Sequence, residues 1–448
     1  MDGQTRSKWI DYFFIYWLLI STGGFVFLLT GANPMDPPGN DPASYLGRAN
    51  TILISLATFW IYLTNSRAVN AVIRASWLPF LFPLLAFLSC IWSDNPAITF
   101  RRAYALSFSF LAAACLIALV PPPRVARAMS LALGWAILLS VLFVFVDPAY
   151  GVHQASDWVE PHWAGHWRGI YSHKNPLGNT ASIALLVYVV FAKRVLRSAI
   201  FRASVLLAIA ACLFGSGSVT GLVVGMAMIA VAKGFSLILE ARQEARVLIL
   251  GSASSIVALV LITAVPVLTV GLEMLGKKPD LTGRVPIWGT ILPWANEHPW
   301  LGTGYGSFEE TLLPRFFAIT GENLVNAHNG YLETFINFGY VGVLLLVVVL
   351  ISFASKVVKI LRSQAPYEKL VLPLAISLFT GIVLSNITES FFLAYASIHG
   401  TCFVIAYIMV SVSLAQAEAA ERSSLQKRST GARRLKMMTR VTGLPRAS

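Results

Sequence analysis

The feature that most constrains this chain is its succession of long apolar stretches. Twelve of them divide the 448 residues, each close to the length that crosses a bilayer as one α-helix. Only 12% of the residues are charged, about half the fraction found in soluble domains. We therefore predict an all-α polytopic membrane protein. The twelve predicted helices lie near 12–30, 45–63, 76–92, 102–120, 128–146, 177–192, 199–215, 218–239, 246–270, 329–351, 370–388 and 391–413.

Positive charge is distributed unevenly between the two sides of this predicted bundle. If both termini face the cytoplasm, the inner segments contain 25 of the 34 lysines and arginines, and the outer segments contain nine. Because basic residues concentrate in cytoplasmic loops, we predict that both termini are cytoplasmic. The net charge of +13 then reflects topology and affinity for anionic lipid headgroups. It does not indicate nucleic-acid binding, since the sequence suggests no soluble basic domain.

Two long segments interrupt the predicted helices on the outer side. They cover about 147–175 and about 271–328, and six of the seven histidines lie in or beside them. Loops of this length are commonly functional. We predict one transmembrane domain over 1–414, with these two enlarged periplasmic loops, and a basic cytoplasmic tail over 415–448. The composition of the tail indicates a segment that is disordered or lies on the membrane surface.

Polar residues collect at the outer ends of several predicted helices. Each of them alone is also compatible with a helix cap or with a long side chain reaching the membrane surface. Their recurrence on separate elements favours a cationic, outward-facing site. The candidates are Arg101, Arg102, Arg168, Lys174, Asn175, Arg284, His328, Asn329 and Glu389.

Two arginines are the strongest candidates for binding an anion. Arg168 lies near Trp163 and Trp167, and Arg284 precedes Trp288, so both occur in the aromatic setting typical of a membrane interface. A guanidinium is always charged and offers a planar fork of donors to phosphate oxygens. An anionic lipid diphosphate is therefore the ligand we predict for both residues. The alternative for each is a structural salt bridge within its loop.

The histidines suggest two kinds of chemistry. His328 stands where the outer loop enters an apolar helix, where an imidazole can take a proton from a hydroxyl or orient it. Its alternative role is that of a capping or interfacial residue. The cluster of His153, His162, His166 and His173 raises the possibility of zinc, but the sequence contains no complete three-ligand motif there. We predict neither a metal nor another cofactor.

Five motifs carry a resemblance to a known family. His328, Asn329, Gly339 and Gly342 in HNGYLETFINFGYVG match a pattern of His-Asn, nine residues, Gly, two residues and Gly. The motifs LSCIWSDNP (88–96), RGIYSHKNPLGN (168–179), TGRVPIW (282–288) and LGTGYGSF (301–308) precede it in the family order. The chain thus resembles the O-antigen ligase and Wzy-type polysaccharide polymerase superfamily of bacterial inner membranes. Within it, SHKNPLGN and the segment after Ala327 look most similar to succinoglycan-type exopolysaccharide polymerases.

The resemblance implies a GT-C-like glycosyltransferase architecture and metal-independent glycosyl transfer on the periplasmic face, with inversion at the anomeric carbon. The implied donor is a polyprenyl-diphosphate-linked oligosaccharide. Carried over to this sequence, Arg168 and Arg284 would hold the diphosphate, and His328 would activate or place the acceptor hydroxyl. The other partners that we expect are membrane lipids and a chain-length-regulating membrane protein. The histidine- and tryptophan-rich segment 153–173 is not a feature of the family pattern.

Three functions remain open at this point. We favour a polymerase that joins lipid-linked repeat units. A ligase that transfers a finished glycan to lipid A core differs from it mainly in the acceptor. A lipid-linked saccharide transporter belongs to a different class and would place its charges near the membrane midplane on broken helices. The candidate residues here lie at one face instead.

Overall fold

The computed structural model describes residues 3–25, 43–157, 161–242, 284–320, 326–363, 370–394 and 397–442. Within these ranges the chain forms helices and turns, with a single antiparallel bridge between Val152 and Trp167 in place of any sheet. The α-helices are α1 (Gly3–Ser21), α2 (Ala43–Thr64), α3 (Ser66–Ala75), α4 (Leu81–Leu88), α5 (Pro96–Leu119), α6 (Pro122–Val146), α7 (Pro148–Gly151), α8 (Lys174–Leu186), α9 (Ala192–Val195), α10 (Ala199–Ser216), α11 (Val219–Glu240), α12 (Arg284–Ala295), α13 (Phe308–Thr320), α14 (Gly330–Arg362), α15 (Val371–Ser385) and α16 (Ile398–Thr442).

The multi-pass helical prediction is confirmed, but the count of twelve spans is not. Among the described residues, seven helical segments are long and apolar enough to cross a membrane, and α2 with α3 would add an eighth that bends by 98°. The segments Leu78–Ile91 and Val371–Ser385 are apolar but shorter. The predicted helix at 246–270 lies outside the described residues. The GT-C-like architecture stays a prediction.

Two boundaries near the C-terminus differ from the prediction. The last helix begins at Ile398 and not near 391, because Asn386 folds the preceding segment into a buried turn. Its side-chain oxygen accepts hydrogen bonds from the backbone of Phe391 and Phe392, at 2.8 and 3.0 Å. The last helix also continues to Thr442 and does not end near 413, while the cytoplasmic tail over 415–448 stays a prediction. Residues 414–430 are rich in strong helix formers and contain neither Gly nor Pro.

The end of α15 and the start of α14 meet at one end of the bundle. The backbone N–H of Gly330 donates to the carbonyl of Asn386 at 2.9 Å, and that of Asn329 donates to the hydroxyl of Ser390 at 3.1 Å. Gly330 has no space for a side chain, since a Cβ there would lie 1.8 Å from the Asn386 amide oxygen. These contacts hold the residues next to His328 against those next to Glu389.

A kink at Gly339 opens α14 to a neighbouring loop. Gly339 has φ +60° and ψ −154°, so the helical hydrogen-bond pattern is interrupted there. The carbonyls of Ile336 and Asn337 accept instead from Thr303 and Gly304, at 2.8 and 3.2 Å. The second glycine of the family pattern, Gly342, packs against Phe338. The spacing of the pattern therefore has a structural reason, because it lets the 299–306 loop pair with α14.

The motif at 88–96 packs against the other side of this loop. The Ser89 hydroxyl accepts from the backbone of Tyr305 at 3.0 Å, and the Trp92 indole donates to the carbonyl of Leu301 at 3.1 Å. Three motifs that are far apart in the sequence are thus joined by hydrogen bonds.

We expect Gly339→Ala to destabilise the protein by about 3 kcal/mol. The backbone conformation is one that only glycine adopts readily, and a Cβ would lie 2.3 Å from the backbone of Trp300. The measurement is the melting temperature of the purified protein in detergent. Gly234→Ala in α11 is the control, because its Cβ would meet nothing within 4 Å. Equal melting temperatures for the Gly339 variant and the wild type would contradict this account of the kink.

Candidate active site

Glu389 connects the two residues for which the sequence predicts the strongest chemistry. One of its carboxylate oxygens lies 2.8 Å from the Arg284 guanidinium, and the other lies 3.8 Å from Nδ1 of His328. Glu389 is only 4% exposed. Arg284, His328 and Glu389, which lie in three separate segments of the chain, therefore form one cluster. Glu389 was only a secondary candidate in the sequence, where a carboxylate after an apolar helix is compatible with a simple cap.

His328 is held in an unusual conformation. Its φ of +46° makes it the only non-glycine residue with positive φ in the described part of the chain, and such strain often accompanies a functional role. Its backbone N–H donates to the side-chain oxygen of Asn326 at 2.8 Å. Nδ1 is buried and makes no hydrogen bond, and 3.8 Å to Glu389 is too long for one. A small ring movement would close this gap, as commonly happens when a catalytic site binds its substrate.

Asn329 fixes the start of α14 directly after the histidine. Its side-chain oxygen accepts from the backbone of Tyr331 and Leu332, each at 3.0 Å, as a helix N-cap. The prediction that the helix begins near 329 is confirmed. Asn329 therefore positions His328, and its amide oxygen is occupied by the helix.

Arg284 has donors to spare. Its contact with Glu389 uses Nη2, and among the described residues no other partner engages its guanidinium. Its side chain is 14% exposed. The Nε and Nη1 groups can therefore donate to an anionic ligand while Nη2 stays on the carboxylate.

Arg168 lies in different surroundings from Arg284. It is fully buried, and its three nitrogens donate to the Tyr150 carbonyl, to the Ala149 carbonyl at 3.0 Å and to the Asp157 carboxylate at 3.2 Å. Burial lowers the pKa of its guanidinium, against the opposing effect of Asp157. Its burial and these three contacts favour the structural role that is the alternative to diphosphate binding, and diphosphate binding by Arg168 stays a prediction.

Asp157 is the centre of this second, structural cluster. The same carboxylate oxygen lies 3.1 Å from Nδ1 of His153, and Nε2 of His153 accepts from the backbone N–H of Lys174 at 3.2 Å. The ring must therefore be neutral, with its proton on Nδ1. Burial, and next the nearby His173, lower the pKa of His153 from 6.5 to about 4. The cluster ties the 147–173 loop to the start of α8.

Lys174 and Asn175 belong to this loop cluster. The Lys174 ammonium lies 3.6 Å from the centre of the Trp163 ring, as a cation–π contact. The backbone of Asn175 donates to Nδ1 of His173 at 3.2 Å, which caps α8. In the described part of the chain, no three His, Cys, Asp or Glu side chains come together as a metal site would require.

The two neighbouring arginines at the start of α5 have different surroundings. Arg101 is exposed, whereas Arg102 is partly buried and donates to the carbonyl of Gly306. Arg102 also lines a cavity of about 180 Å³. Three other residues that line this cavity, Asn326, Glu333 and Ser390, are not singled out by the sequence. Their only signal in the sequence was their closeness to His328 and Glu389.

Comparisons with known proteins support the resemblance that the motifs indicated. The model of the family described as O-antigen ligase matches residues 203–347, a range that includes Arg284, His328 and Gly339. The chain is also 26% identical over 310 residues to the exopolysaccharide production protein ExoQ of Rhizobium meliloti (strain 1021). The matched region covers 65% of this chain and 68% of that protein. The resemblance to the O-antigen ligase and Wzy-type superfamily is thereby confirmed.

We expect Arg168→Ala to reduce stability without weakening the binding of a diphosphate. The substitution leaves the buried Asp157 carboxylate without its arginine, which typically costs about 3–5 kcal/mol. Melting temperature and the affinity of the folded protein for farnesyl diphosphate are the two measurements. Arg315→Ala is the control, since its ion pair with Glu297 is half exposed and contributes at most about 1 kcal/mol. Lost affinity at an unchanged melting temperature would restore Arg168 to the binding site.

Proposed function

From the chain's resemblance to the O-antigen ligase and Wzy-type polymerase superfamily, we propose that it is a membrane glycosyltransferase with a polyprenyl-diphosphate-linked oligosaccharide as donor. Its product would be an exopolysaccharide, made in the bacterial inner membrane at the periplasmic face. The observation that carries the proposal is the cluster of Arg284, Glu389 and His328. It places a cation with unused donors beside an imidazole that a buried carboxylate can orient.

Arg284 would stabilise the leaving group. Breaking the bond between the anomeric carbon and the phosphate oxygen leaves negative charge on the polyprenyl diphosphate. Fixed donors aimed at developing charge are often the largest single contribution to catalysis. The guanidinium offers Nε and Nη1 in one plane, which suits two phosphate oxygens. Its ion pair with Glu389 holds it in place before the substrate arrives.

His328 would act on the acceptor hydroxyl. With a proton on Nδ1 facing Glu389, the Nε2 atom is left to accept a hydrogen bond. The acceptor oxygen attacks the anomeric carbon, its proton passes to Nε2, and the diphosphate leaves with the electrons of the broken bond. The glycosidic bond forms as the carbon–phosphate-oxygen bond breaks, so no further reactant is required. Glu389 balances the charge of the imidazolium that results.

The choice between polymerase and ligase depends on the acceptor. The relative described as an exopolysaccharide production protein favours the polymerase, in which the acceptor is a second lipid-linked repeat unit. The family model described as O-antigen ligase supports the second candidate, in which a finished glycan is transferred to lipid A core. Both reactions use the same donor chemistry, so the cluster serves either.

We expect His328→Asn to lower the rate of polymer formation at least about a hundredfold, the usual contribution of a general base. Asparagine tolerates the positive φ of this position better than alanine, so the backbone is preserved while the imidazole is lost. Polymer and membrane-inserted protein are both quantified in cells. The exposed His298, replaced by Asn, is the control. Near-wild-type polymer from the His328 variant would remove the histidine from the mechanism.

For Arg284→Lys we expect the KM for the lipid-linked donor to rise at least about tenfold, because an ammonium cannot reproduce charged hydrogen bonds from a planar fork. The charge that faces Glu389 is retained, so the protein should still accumulate in the membrane. Arg315→Lys, in an exposed ion pair, should leave the KM unchanged. Full activity of the Arg284 variant would mean that only its charge matters.

A further inference from the structure

The cavity of about 180 Å³ that Arg102 lines lies directly beside the candidate active site. Its wall includes Asn326 and Ser390, whose other contacts hold the backbone of His328 and Asn329. Ser390 follows Glu389 in the chain, and Asn326 precedes His328 by two residues. A group bound in this cavity would therefore lie next to the reacting atoms.

The wall combines groups of opposite character. Arg102 contributes a guanidinium, Glu333 contributes a carboxylate, and Asn326, Asn337 and Ser390 contribute neutral polar groups. A site built for a diphosphate would gather cations and avoid a carboxylate, because like charges repel at short range. An uncharged, hydroxyl-rich ligand has no such conflict, since each hydroxyl both donates and accepts a hydrogen bond.

Three polar side chains in the wall are already oriented by contacts to the backbone. The side-chain oxygens of Asn326 and Asn337 accept from the backbone of His328 and Gly306, at 2.8 and 2.9 Å. Among the described residues, the Nδ2 groups of both asparagines have no partner, so each keeps its two donors. The Ser390 oxygen accepts from the backbone of Asn329 at 3.1 Å, which leaves its proton to donate. The donors thus stand ready for a ligand without further ordering.

The apolar part of the wall fits the same ligand. Tyr305, Phe392 and Leu393 cover part of the cavity, and Tyr305 is fixed by its hydroxyl, which donates to the carbonyl of Leu393. A sugar ring has an apolar C–H face in addition to its hydroxyls. Mixed polar and apolar lining of this kind is the usual composition of ligand sites.

We propose that this cavity binds an uncharged sugar ring of the substrate, with Asn326, Asn337 and Glu333 as its main polar contacts. This proposal rests on the glycosyltransferase function proposed above and assigns a sugar site separate from the diphosphate contact at Arg284. The ring belongs either to the donor or to the acceptor, and both have the same chemistry.

Asn326→Asp and Asn337→Asp test the assignment. Each variant keeps the side-chain oxygen that accepts the backbone N–H, and each loses the Nδ2 donors. Asn95→Asp is the matched control, because Asn95 caps α5 with the same kind of contact and does not line the cavity. The probes are farnesyl diphosphate, which carries no sugar, and the phosphate-free oligosaccharide released by mild acid from the lipid-linked repeat unit of the host.

We expect both cavity variants to bind the free oligosaccharide at least about fivefold more weakly, as for the loss of one or two hydrogen bonds. Affinity for farnesyl diphosphate should stay within about twofold. Wild-type affinity of both variants for the oligosaccharide, or an equal loss for both probes, would overturn the proposal. So would a wild-type protein that binds no oligosaccharide.

Steady-state kinetics with the lipid-linked donor and the free oligosaccharide as acceptor assign the ring. A higher KM for the acceptor alone places the acceptor sugar in the cavity, and a higher KM for the donor alone places the donor sugar there. Unchanged values of both would contradict the proposal. Failure of the proposed function gives a different result, because the wild type would then bind the oligosaccharide without transferring it.

Discussion

The buried carboxylate of Glu389 is the interaction on which the candidate site depends. An ionised carboxylate that is 4% exposed needs a compensating charge and hydrogen bonds. Arg284 supplies both at 2.8 Å. This contact joins the start of α12 to the turn after α15. The second carboxylate oxygen of Glu389 then faces His328, which lies just before the start of α14. One ion pair thus holds the cation and the carboxylate together, with the second carboxylate oxygen facing the imidazole.

The kink at Gly339 extends this arrangement to the neighbouring cavity. By releasing two carbonyls of α14, it lets the 299–306 loop pair with the helix, which carries Tyr305 and Gly306 into the wall. The histidine and the glycines of one sequence pattern therefore contribute in different ways. His328 faces Glu389, while Gly339 shapes the cavity beside them. A glycine at that position is required by backbone geometry and not by chemistry.

The sequence was sufficient to predict the helical membrane architecture and the start of α14, and it singled out Arg284 and His328, which the fold brings together beside Glu389. The length of the apolar stretches indicates the architecture. His328 and Asn329 stand where an apolar stretch begins, and Arg284 precedes a tryptophan in a long loop. The sequence did not distinguish Arg284 from Arg168, because both stand beside tryptophans in long loops. Only the fold reveals that Arg168 is buried and donates to Asp157 and to two backbone carbonyls. The role of Glu389 likewise depends on contacts between residues about 60 to 105 positions apart.

The most direct test of the central claim is reconstitution of the purified protein in liposomes with a polyprenyl-diphosphate-linked repeat unit, in chelator-treated buffer. The products are separated on a gel for the wild type and for Glu389→Gln. We expect a ladder that rises by one repeat unit from the wild type and none from the variant, because an amide cannot hold both Arg284 and a protonated His328. Equal ladders from both proteins would contradict the role of Glu389. Movement of the lipid-linked sugar across the bilayer without any glycosyl transfer would contradict the proposed glycosyltransferase function.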